Sequence, residues 1–265
     1  MKRFYTILAC LLALPAILSA EEVVRLTRYE GQAISGVSAS DMFNVELVKS
    51  DQTKAIVEID SELEEYLRFE LKSGGIISVD LNIPSHKRRQ LERSFGDRSW
   101  NSRTINLTLY LPEITYIKLE DMAKLKTEDS FSTNHIEIKV SDMGKVHGIT
   151  LNVSTADVKA EDMGVVTLAL TADQVTLKAD DMAKINITGE SREAYAESND
   201  MAKINGSEFR TERGTLKAAD MAKTSMFVSY YLYARSSDMA SVDYKGEPSQ
   251  IDLKTPRRTI YNINE

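Results

Sequence analysis

The sequence predicts an all-β protein, a parallel β-helix or β-solenoid with coils of about 20 residues. The tetrapeptide Asp-Met-Ala-Lys, or a close variant, occurs seven times in the second half of the chain, at steps of 21, 20, 19, 19, 20 and 18 residues. Little else is identical between the copies, which indicates one small unit stacked on itself, each copy contacting mainly its neighbours.

Apolar or small side chains alternate with polar ones on both sides of each tetrapeptide. In the copy that begins at Asp181, the residues four and two positions before are Leu177 and Ala179, and Ile185 comes four positions after. The residue two positions after each Asp is always Ala or Gly. Alternation with period two predicts a strand, a bend and a second strand, with the apolar side chains directed inward.

The chain before the repeats is less regular. Short alternating runs predict irregular strands over residues 21–112, and regular coils follow at 113–250. We interpret residues 62–71 as a surface connection and 85–103 as a basic loop that contains Trp100, and we expect no helix longer than two turns. The predicted organisation is a signal peptide at 1–20, one solenoid domain at 21–255 and a C-terminal tail at 256–265.

The first 20 residues have the pattern of a secretory signal. Lys2 and Arg3 precede an almost wholly apolar run, and small residues lead to a cleavage site near Ala20. Lipidation at Cys10 is the alternative, although only a short apolar stretch precedes it. The protein is therefore predicted to be exported, to the periplasm, the outer membrane or the medium, and its apolar run is too short to predict a membrane helix.

Composition narrows the choice of partners. Without Lys2 and Arg3, 31 basic side chains stand against 40 acidic ones, a net charge of −9, and no cysteine follows residue 20. This charge argues against nucleic acid or an anionic membrane surface as partner. The absence of cysteine leaves neither disulfide bonds nor thiol chemistry.

The order of the strand motifs resembles a known family. A degenerate copy of the repeat lies at 38–47, strand patterns follow at 57–60, 76–79 and 107–112, and Tyr244-Lys-Gly-Glu-Pro248 closes the coils. This layout resembles the family named "putative auto-transporter adhesin, head GIN domain", common in secreted and envelope proteins of Bacteroidetes, over roughly residues 25–250. The resemblance implies a β-solenoid and a surface or periplasmic binding role, without a ligand or catalytic residue.

One departure from the family concerns the bend. Family members usually carry Ser-Gly-Ala or similar small residues there, whereas this chain has Asp-Met-Ala or Asp-Met-Gly. The bulky and charged side chains at the bend are therefore particular to this chain, and they raise the question of which way the Asp and Met residues face.

The aspartates of the repeats form one row if the coils stack in register: Asp121, Asp142, Asp162, Asp181, Asp200, Asp220 and Asp238. Neighbouring carboxylates one strand spacing apart repel by about 1 kcal/mol even in water. We favour Asp side chains that cap backbone N–H groups at the bend, as in Asx turns. Lysines three residues on could interleave as a counter-row: Lys124, Lys145, Lys184, Lys203 and Lys223.

The alternative for the Asp row is a series of hard-cation sites. Calcium needs several oxygen ligands, and second carboxylates lie beside the Asp in only three copies, as Glu120, Glu161 and Asp180. We therefore predict no metal site and no cofactor, and no appreciable rise in melting temperature with millimolar calcium or magnesium.

The methionines of the repeats form a second row: Met122, Met143, Met163, Met182, Met201, Met221 and Met239. Internal packing is slightly favoured, because methionine is usually buried and fills irregular gaps well. If the following Ala or Gly faces inward instead, the methionines form an outward ridge, a candidate surface for a partner or a second copy of the protein.

Nothing in the sequence forms a recognisable catalytic group. His86, His135 and His147 are scattered, and the acidic residues repeat uniformly, whereas glycoside cleavage needs a unique pair in unequal environments. We predict a non-enzymatic, adhesin-like exported protein that binds a cell-surface or envelope protein or glycan. The alternative is a carbohydrate-active enzyme, a lyase or hydrolase, on the same scaffold.

Overall fold

The computed structural model describes residues 22–94, 103–254 and 259–264, and over these ranges the chain is mostly strand. Eight strands form the regular part: β8 Tyr116–Leu119, β9 Lys124–Lys126, β10 Ser130–Val140, β11 Lys145–Ala160, β12 Val165–Ala179, β13 Lys184–Ser198, β14 Lys203–Ala218 and β15 Lys223–Ser236. Each long strand runs from one Asp-Met turn to the next, so one strand makes up most of one coil.

Consecutive coils pair in parallel and in register. β10, β11, β12, β13, β14 and β15 follow one another in the sheet, so that Val158 lies beside Leu177, and Leu177 beside Ala196. Small register shifts within the β11–β12, β13–β14 and β14–β15 pairs take up the differences in coil length. This arrangement is the predicted parallel β-solenoid, and the prediction of coils of about 20 residues is confirmed.

The inward positions of the alternation are buried, as predicted. The residues four before, two before and four after each Asp are all at most 4% exposed. Where these positions carry hydroxyl groups, the groups are hydrogen-bonded: Ser198 Oγ lies 2.7 Å from Thr224 Oγ1, and Ser236 Oγ donates to Thr259 Oγ1 at 2.6 Å. The interior can hold polar side chains here because each one has a hydrogen-bond partner.

The N-terminal strands continue the same stack and then cap it: β1 Val23–Arg28, β2 Gly36–Ala39, β3 Asn44–Lys49, β4 Lys54–Asp60, β5 Leu67–Lys72, β6 Ile76–Leu81 and β7 Ile105–Leu111. β2 and β3 form a coil that pairs in parallel with β8 and β9, and β6 and β7 pair in parallel with its other side. Antiparallel β5 covers β6, and β4 and β1 cover β7. The antiparallel strands end the parallel repeat, as capping units of solenoids do.

The C-terminal end of the stack is closed by three short strands: β16 Ser241–Lys245, β17 Gln250–Leu253 and β18 Ile260–Asn262. β16 and β17 both pair in parallel with β15, and β18 pairs with β16. β18 lies inside the segment that the sequence suggested as a tail. Edge strands this short offer little backbone for pairing with another chain.

Two helices correct the sequence-based picture: α1 Ser61–Glu64 and α2 Ser85–Ser94. The first half of the expected basic loop is therefore helical, and its 10 residues exceed the two turns that we set as a limit. α2 begins after Pro84, whose carbonyl accepts the N–H groups of Lys87 and Arg88. Lys, Arg, Gln, Leu and Glu are all good helix formers, but without apolar periodicity they gave no helix signal. Arg98 and Trp100 lie outside the described residues.

Arg103 ends the same basic segment and is held in the structure rather than presented to solvent. Its guanidinium Nη1 lies 3.1 Å from Asp60 Oδ2 and 3.7 Å from Glu62 Oε2, and the side chain is 5% exposed. Thr104 N–H also donates to Asp60 Oδ1 at 3.3 Å. Arg103 therefore anchors the return of this segment to the cap.

Candidate binding surface

The seven Asp-Met turns are closed by the backbone. In each turn the N–H of the Ala or Gly donates to the carbonyl of the residue before the Asp, as from Ala183 to Asp180 at 3.2 Å and from Ala202 to Asn199 at 3.1 Å. The Asp in every turn has a positive φ, between 49° and 62°. Aspartate tolerates this left-handed conformation better than most residues, which explains its place in the turn.

The turns are also bonded to one another. The N–H of Met182 donates to the carbonyl of Asp162 at 2.9 Å, that of Met201 to Asp181 at 2.8 Å, and that of Met221 to Asp200 at 2.8 Å. Main-chain hydrogen bonds between coils therefore continue through these turns, and their side chains stack as columns. One edge of the solenoid, which we call the turn edge, carries the Asp, Met and Lys columns side by side.

Main-chain hydrogen bonds close the bends, which is the role that we expected the Asp side chains to fill. Asp162 has a side-chain hydrogen bond to the backbone of Asp142, in the preceding coil. In the first coil, Leu81 N–H donates to Asp41 Oδ2 at 2.7 Å. Both of these contacts reach a neighbouring coil, whereas an Asx turn would close the residue's own bend. The seven Asp side chains of the repeats are exposed.

The Ala or Gly of each turn faces inward. Ala183 and Ala202 are both 1% exposed. At Gly164 a Cβ atom would lie 2.6 Å from the carbonyl oxygen of Val140, and at Gly144 it would lie 2.8 Å from that of Leu119. The coil below approaches so closely that only a very small side chain fits inside the bend, which explains the invariant small residue.

The methionines face outward, so the slight preference for internal packing was wrong. Their exposed fraction rises from 38% at Met122 to 54% at Met182, Met201 and Met221, and to 77% at Met239. The Met side chain points away from the interior because the next residue, the Ala or Gly, occupies the inward position. The seven methionines thus form an exposed ridge along the turn edge, which we call the Met ridge.

The lysines form a column but do not neutralise the Asp row by direct pairing. Lys184, Lys203 and Lys223 are consecutive partners across the parallel strands. Among the described residues, the only ion pair within 4.0 Å that this column makes joins Lys223 Nζ to Asp243 Oδ2 at 2.6 Å. The Met ridge therefore lies between a column of carboxylates and a column of ammonium groups.

Two further residues belong to the turn edge although the set of repeat residues omitted them. Asp41, with φ 57°, and Met42 form the turn between β2 and β3, in the coil that stacks on the coil of Asp121. Met42, Met122 and Met143 line one groove of about 230 Å³. The degenerate copy at 38–47 was the sequence signal for this extra turn, but its place beside Asp121 required the structure.

The acidity of Asp162, in the middle of the row, is changed by its surroundings. Partial desolvation raises the pKa of Asp162, and the negative charges of Asp142, Asp181 and Glu161 raise it further, against a hydrogen bond to the backbone of Asp142 that lowers it. A raised carboxyl pKa means that the ionised form is disfavoured in the folded state. The ionised group therefore weakens the fold at neutral pH, and stability is regained as pH falls through the folded-state pKa.

We expect Asp162→Asn to raise the midpoint of thermal unfolding at pH 7 and low ionic strength, because Asn tolerates the positive φ and removes the like charge. The gain should shrink in about 1 M salt and disappear below pH 3.8, the ordinary pKa of Asp. Asp173→Asn, at an exposed position away from the row, is the control and should show no such gain. A lower midpoint for Asp162→Asn at pH 7 would contradict this account of the row.

One concavity outside the ridge groove has about 400 Å³ and includes Glu46, Glu58 and His147 in its lining. Glu46 lies 3.4 Å from Lys126, and Glu58 lies 3.1 Å from Arg25. Both carboxylates are therefore engaged in ion pairs at the surface. In the described part of the chain, no group of three or more His, Cys, Asp or Glu side chains is placed to hold a metal ion.

The fold and the turn edge together define a class, a β-solenoid of short coils that displays repeated side chains along one edge. The chain belongs to the family described as "putative auto-transporter adhesin, head GIN domain", whose model matches residues 34–248. The resemblance drawn from the strand layout and the closing Tyr-x-Gly-x-Pro motif is thereby confirmed. No curated protein sequence gives a significant match.

Several solved structures share the fold. A putative adhesin from Parabacteroides merdae has a TM-score of 0.78 at 11% identity, over 92% of this chain and 97% of that one. A putative adhesin from Parabacteroides distasonis has a TM-score of 0.75 at 14% identity, over 91% and 97%. A putative lipid binding protein from P. distasonis has a TM-score of 0.70 at 16% identity, over 91% and 97%. At these identities the likeness establishes the fold alone.

The described residues include no helix that is long and apolar enough to cross a membrane. The predicted signal peptide and its alternative lipidation site at Cys10 lie outside the described residues.

Proposed function

We propose that this chain is an exported, non-catalytic binding protein of the cell envelope that engages a cell-surface or envelope protein or glycan through its turn edge. The observation that carries the proposal is the exposure of the same large apolar side chain in seven consecutive coils. Exposed contiguous apolar surface on a soluble protein commonly marks an interaction site. The secretory pattern of residues 1–20 and the adhesin family support an envelope location.

The regular spacing of the turn edge suits a repetitive partner. Each coil offers one methionine with a carboxylate beside it, and five of the seven coils add a lysine. A partner with several similar groups can contact several coils at once, and weak identical contacts then add by avidity. Flexible methionine side chains adapt to partners of different shape, which favours a surface that binds a class of molecules.

The test is a binding screen of the mature protein against glycans and envelope proteins, repeated with the triple variant Met182→Ser, Met201→Ser and Met221→Ser. These side chains are exposed, so the variant should fold normally but lose most of its binding. The matched control is Thr171→Ala with Thr188→Ala, at exposed positions away from the turn edge. Undiminished binding by the Ser variant would refute the assignment of the surface.

The same preparation should release no reducing sugar from pectin or other acidic polysaccharides, because no unique acid–base pair is evident. Release that disappears when one particular Asp is changed to Asn, with the other copies intact, would refute the non-catalytic proposal and favour a carbohydrate-active enzyme.

A further inference from the structure

We propose that the Met ridge coordinates soft monovalent cations, Cu(I) or Ag(I), between the thioether sulfurs of adjacent coils. This inference goes beyond the proposed function, because it rests on which residue forms the ridge rather than on the exposure of an apolar surface.

The first argument is the strict identity of the exposed residue. The inward position four residues after each Asp varies freely, with Leu125, Val146, Ile185 and Thr224 in different coils. The outward position is Met in all seven coils, and Met42, half-buried against the core, fills the same position in the degenerate copy, so these turns hold eight of the ten methionines in the chain. If the ridge needed only apolar bulk, Leu or Ile would serve there as they do inside. The property that Met alone adds is a thioether, a soft donor that selects Cu(I) among biological metals.

The second argument is spacing. Main-chain hydrogen bonds join neighbouring turns along most of the ridge, as between Met182 N–H and the Asp162 carbonyl at 2.9 Å, so the backbones of these methionines lie one strand spacing apart. That spacing is about 4.8 Å. Zinc–sulfur bonds in proteins measure about 2.3 Å, and two metal–sulfur bonds of similar length in line span about 4.6 Å. The flexible Met side chain can make up the small difference. An ion held between two coils thus fits the pitch of the solenoid.

The third argument is convergence at the N-terminal end of the ridge. Met42, Met122 and Met143 line one groove of about 230 Å³ together with Asn44, Arg103, Lys124 and Lys145, so three thioethers and three cationic side chains border a single space. Elsewhere along the ridge, pairs of neighbouring methionines would each hold one ion. If each of the seven repeat thioethers is used once, the ridge accommodates about three ions.

Charged side chains of both signs lie near the sulfurs, because the Met ridge runs between the Asp column and the Lys column. The Asp column places an exposed carboxylate next to each Met, and a bound cation would relieve the repulsion within that column. No cysteine follows residue 20, so thioethers are the softest donors in the mature chain. Our sequence-based prediction of no metal site and no cofactor was argued from the carboxylates, and the present proposal departs from it. The structure shows that the methionines face outward, so their thioethers are accessible to soft cations.

The test uses Ag(I), which needs no reductant, added as the nitrate salt in chloride-free buffer to protein with ¹³C-labelled methionine methyl groups. We expect about three ions to bind per chain by calorimetry and the ridge methyl signals to shift. Met226 is fully buried in β15 and provides an internal control whose signal should stay in place. No shift of the ridge signals at several equivalents of Ag(I) would overturn the proposal.

The matched variant is Met182→Leu, Met201→Leu and Met221→Leu, which keeps an apolar ridge but removes three sulfurs. It should bind at least one ion fewer, whereas Met226→Leu should bind as many as the wild type. Equal Ag(I) binding by the triple variant would refute coordination by these thioethers. Partner binding is measured separately on the wild type, so a wild-type chain that binds an envelope partner but no Ag(I) refutes this inference and leaves the proposed function standing.

Discussion

Replacing Ala202 by Glu should destabilise the protein by at least about 3 kcal/mol, because the change both overfills a tight site and buries a charge. Ala202 is 1% exposed, inside the bend. Its N–H closes the turn, and its carbonyl accepts the N–H of Lys223 in the next coil at 3.0 Å. A larger side chain would press on the neighbouring coil and disturb the stack on both sides. Urea unfolding followed by circular dichroism measures the loss.

The control is the neighbouring change Lys203→Glu, which introduces the same side chain one position along. Lys203 is exposed at the start of β14, so this substitution should cost less than about 1 kcal/mol. If Lys203→Glu proved more damaging than Ala202→Glu, the inward and outward faces of the turn would have to be exchanged, and the Met ridge with them.

Gly246→Ala should cost at least about 2 kcal/mol, because the position combines two constraints. Its φ is +93°, which a side chain makes unfavourable, and a Cβ atom there would lie 2.2 Å from the carbonyl oxygen of Val228 in β15. Gly246 belongs to the Tyr-x-Gly-x-Pro motif, and Asn264 side-chain Oδ1 accepts its N–H at 2.6 Å. The variant should therefore loosen the C-terminal end of the stack, which amide hydrogen exchange in β16 and β18 would report.

Gly148→Ala separates the two constraints. Gly148 has a φ of +65°, also in the left-handed region, but a Cβ atom there would meet nothing within 4 Å. The Ala substitution should cost only about 1 kcal/mol, the conformational penalty alone. If the two alanine variants lost equal stability, close approach of the backbone to Gly246 would not explain the motif.

The regular half of the fold could be predicted from the sequence because burial in the core imposes the same pattern of apolar residues on every coil. Stacked coils must bury the same side of each strand. The alternation around Leu177, Ala179 and Ile185 therefore predicts the two strands, the bend between them and the side that faces inward. The repeat period then gives the length of the coil. These features are local, and seven copies of them reinforce one another.

The orientation of the methionines could not be predicted for an equally local reason. Adjacent residues in a strand face opposite sides, but a bend between them breaks the rule, and the outcome depends on backbone angles at the Asp. The positive φ at each Asp, such as 62° at Asp181, becomes visible only in the structure. Average burial of methionine then favoured the wrong side.

The arrangement of the N-terminal cap could not be predicted from the sequence. Ala39 pairs with Leu119, although 80 residues separate them in the chain. Alternation shows that each segment is a strand, but it does not show which sheet edge the strand will join. Helix α2 was missed because its basic residues form no apolar face, so that only helix propensity marked it.

The outward Met ridge is the central claim, and limited oxidation of the folded protein by hydrogen peroxide, read by peptide mass spectrometry, tests it most directly. We predict that the seven ridge methionines become sulfoxides roughly tenfold faster than buried Met226, with Met239, 77% exposed, among the first. If Met182, Met201 and Met221 were oxidised as slowly as Met226, these side chains would lie in the interior, and the outward Met ridge would be contradicted.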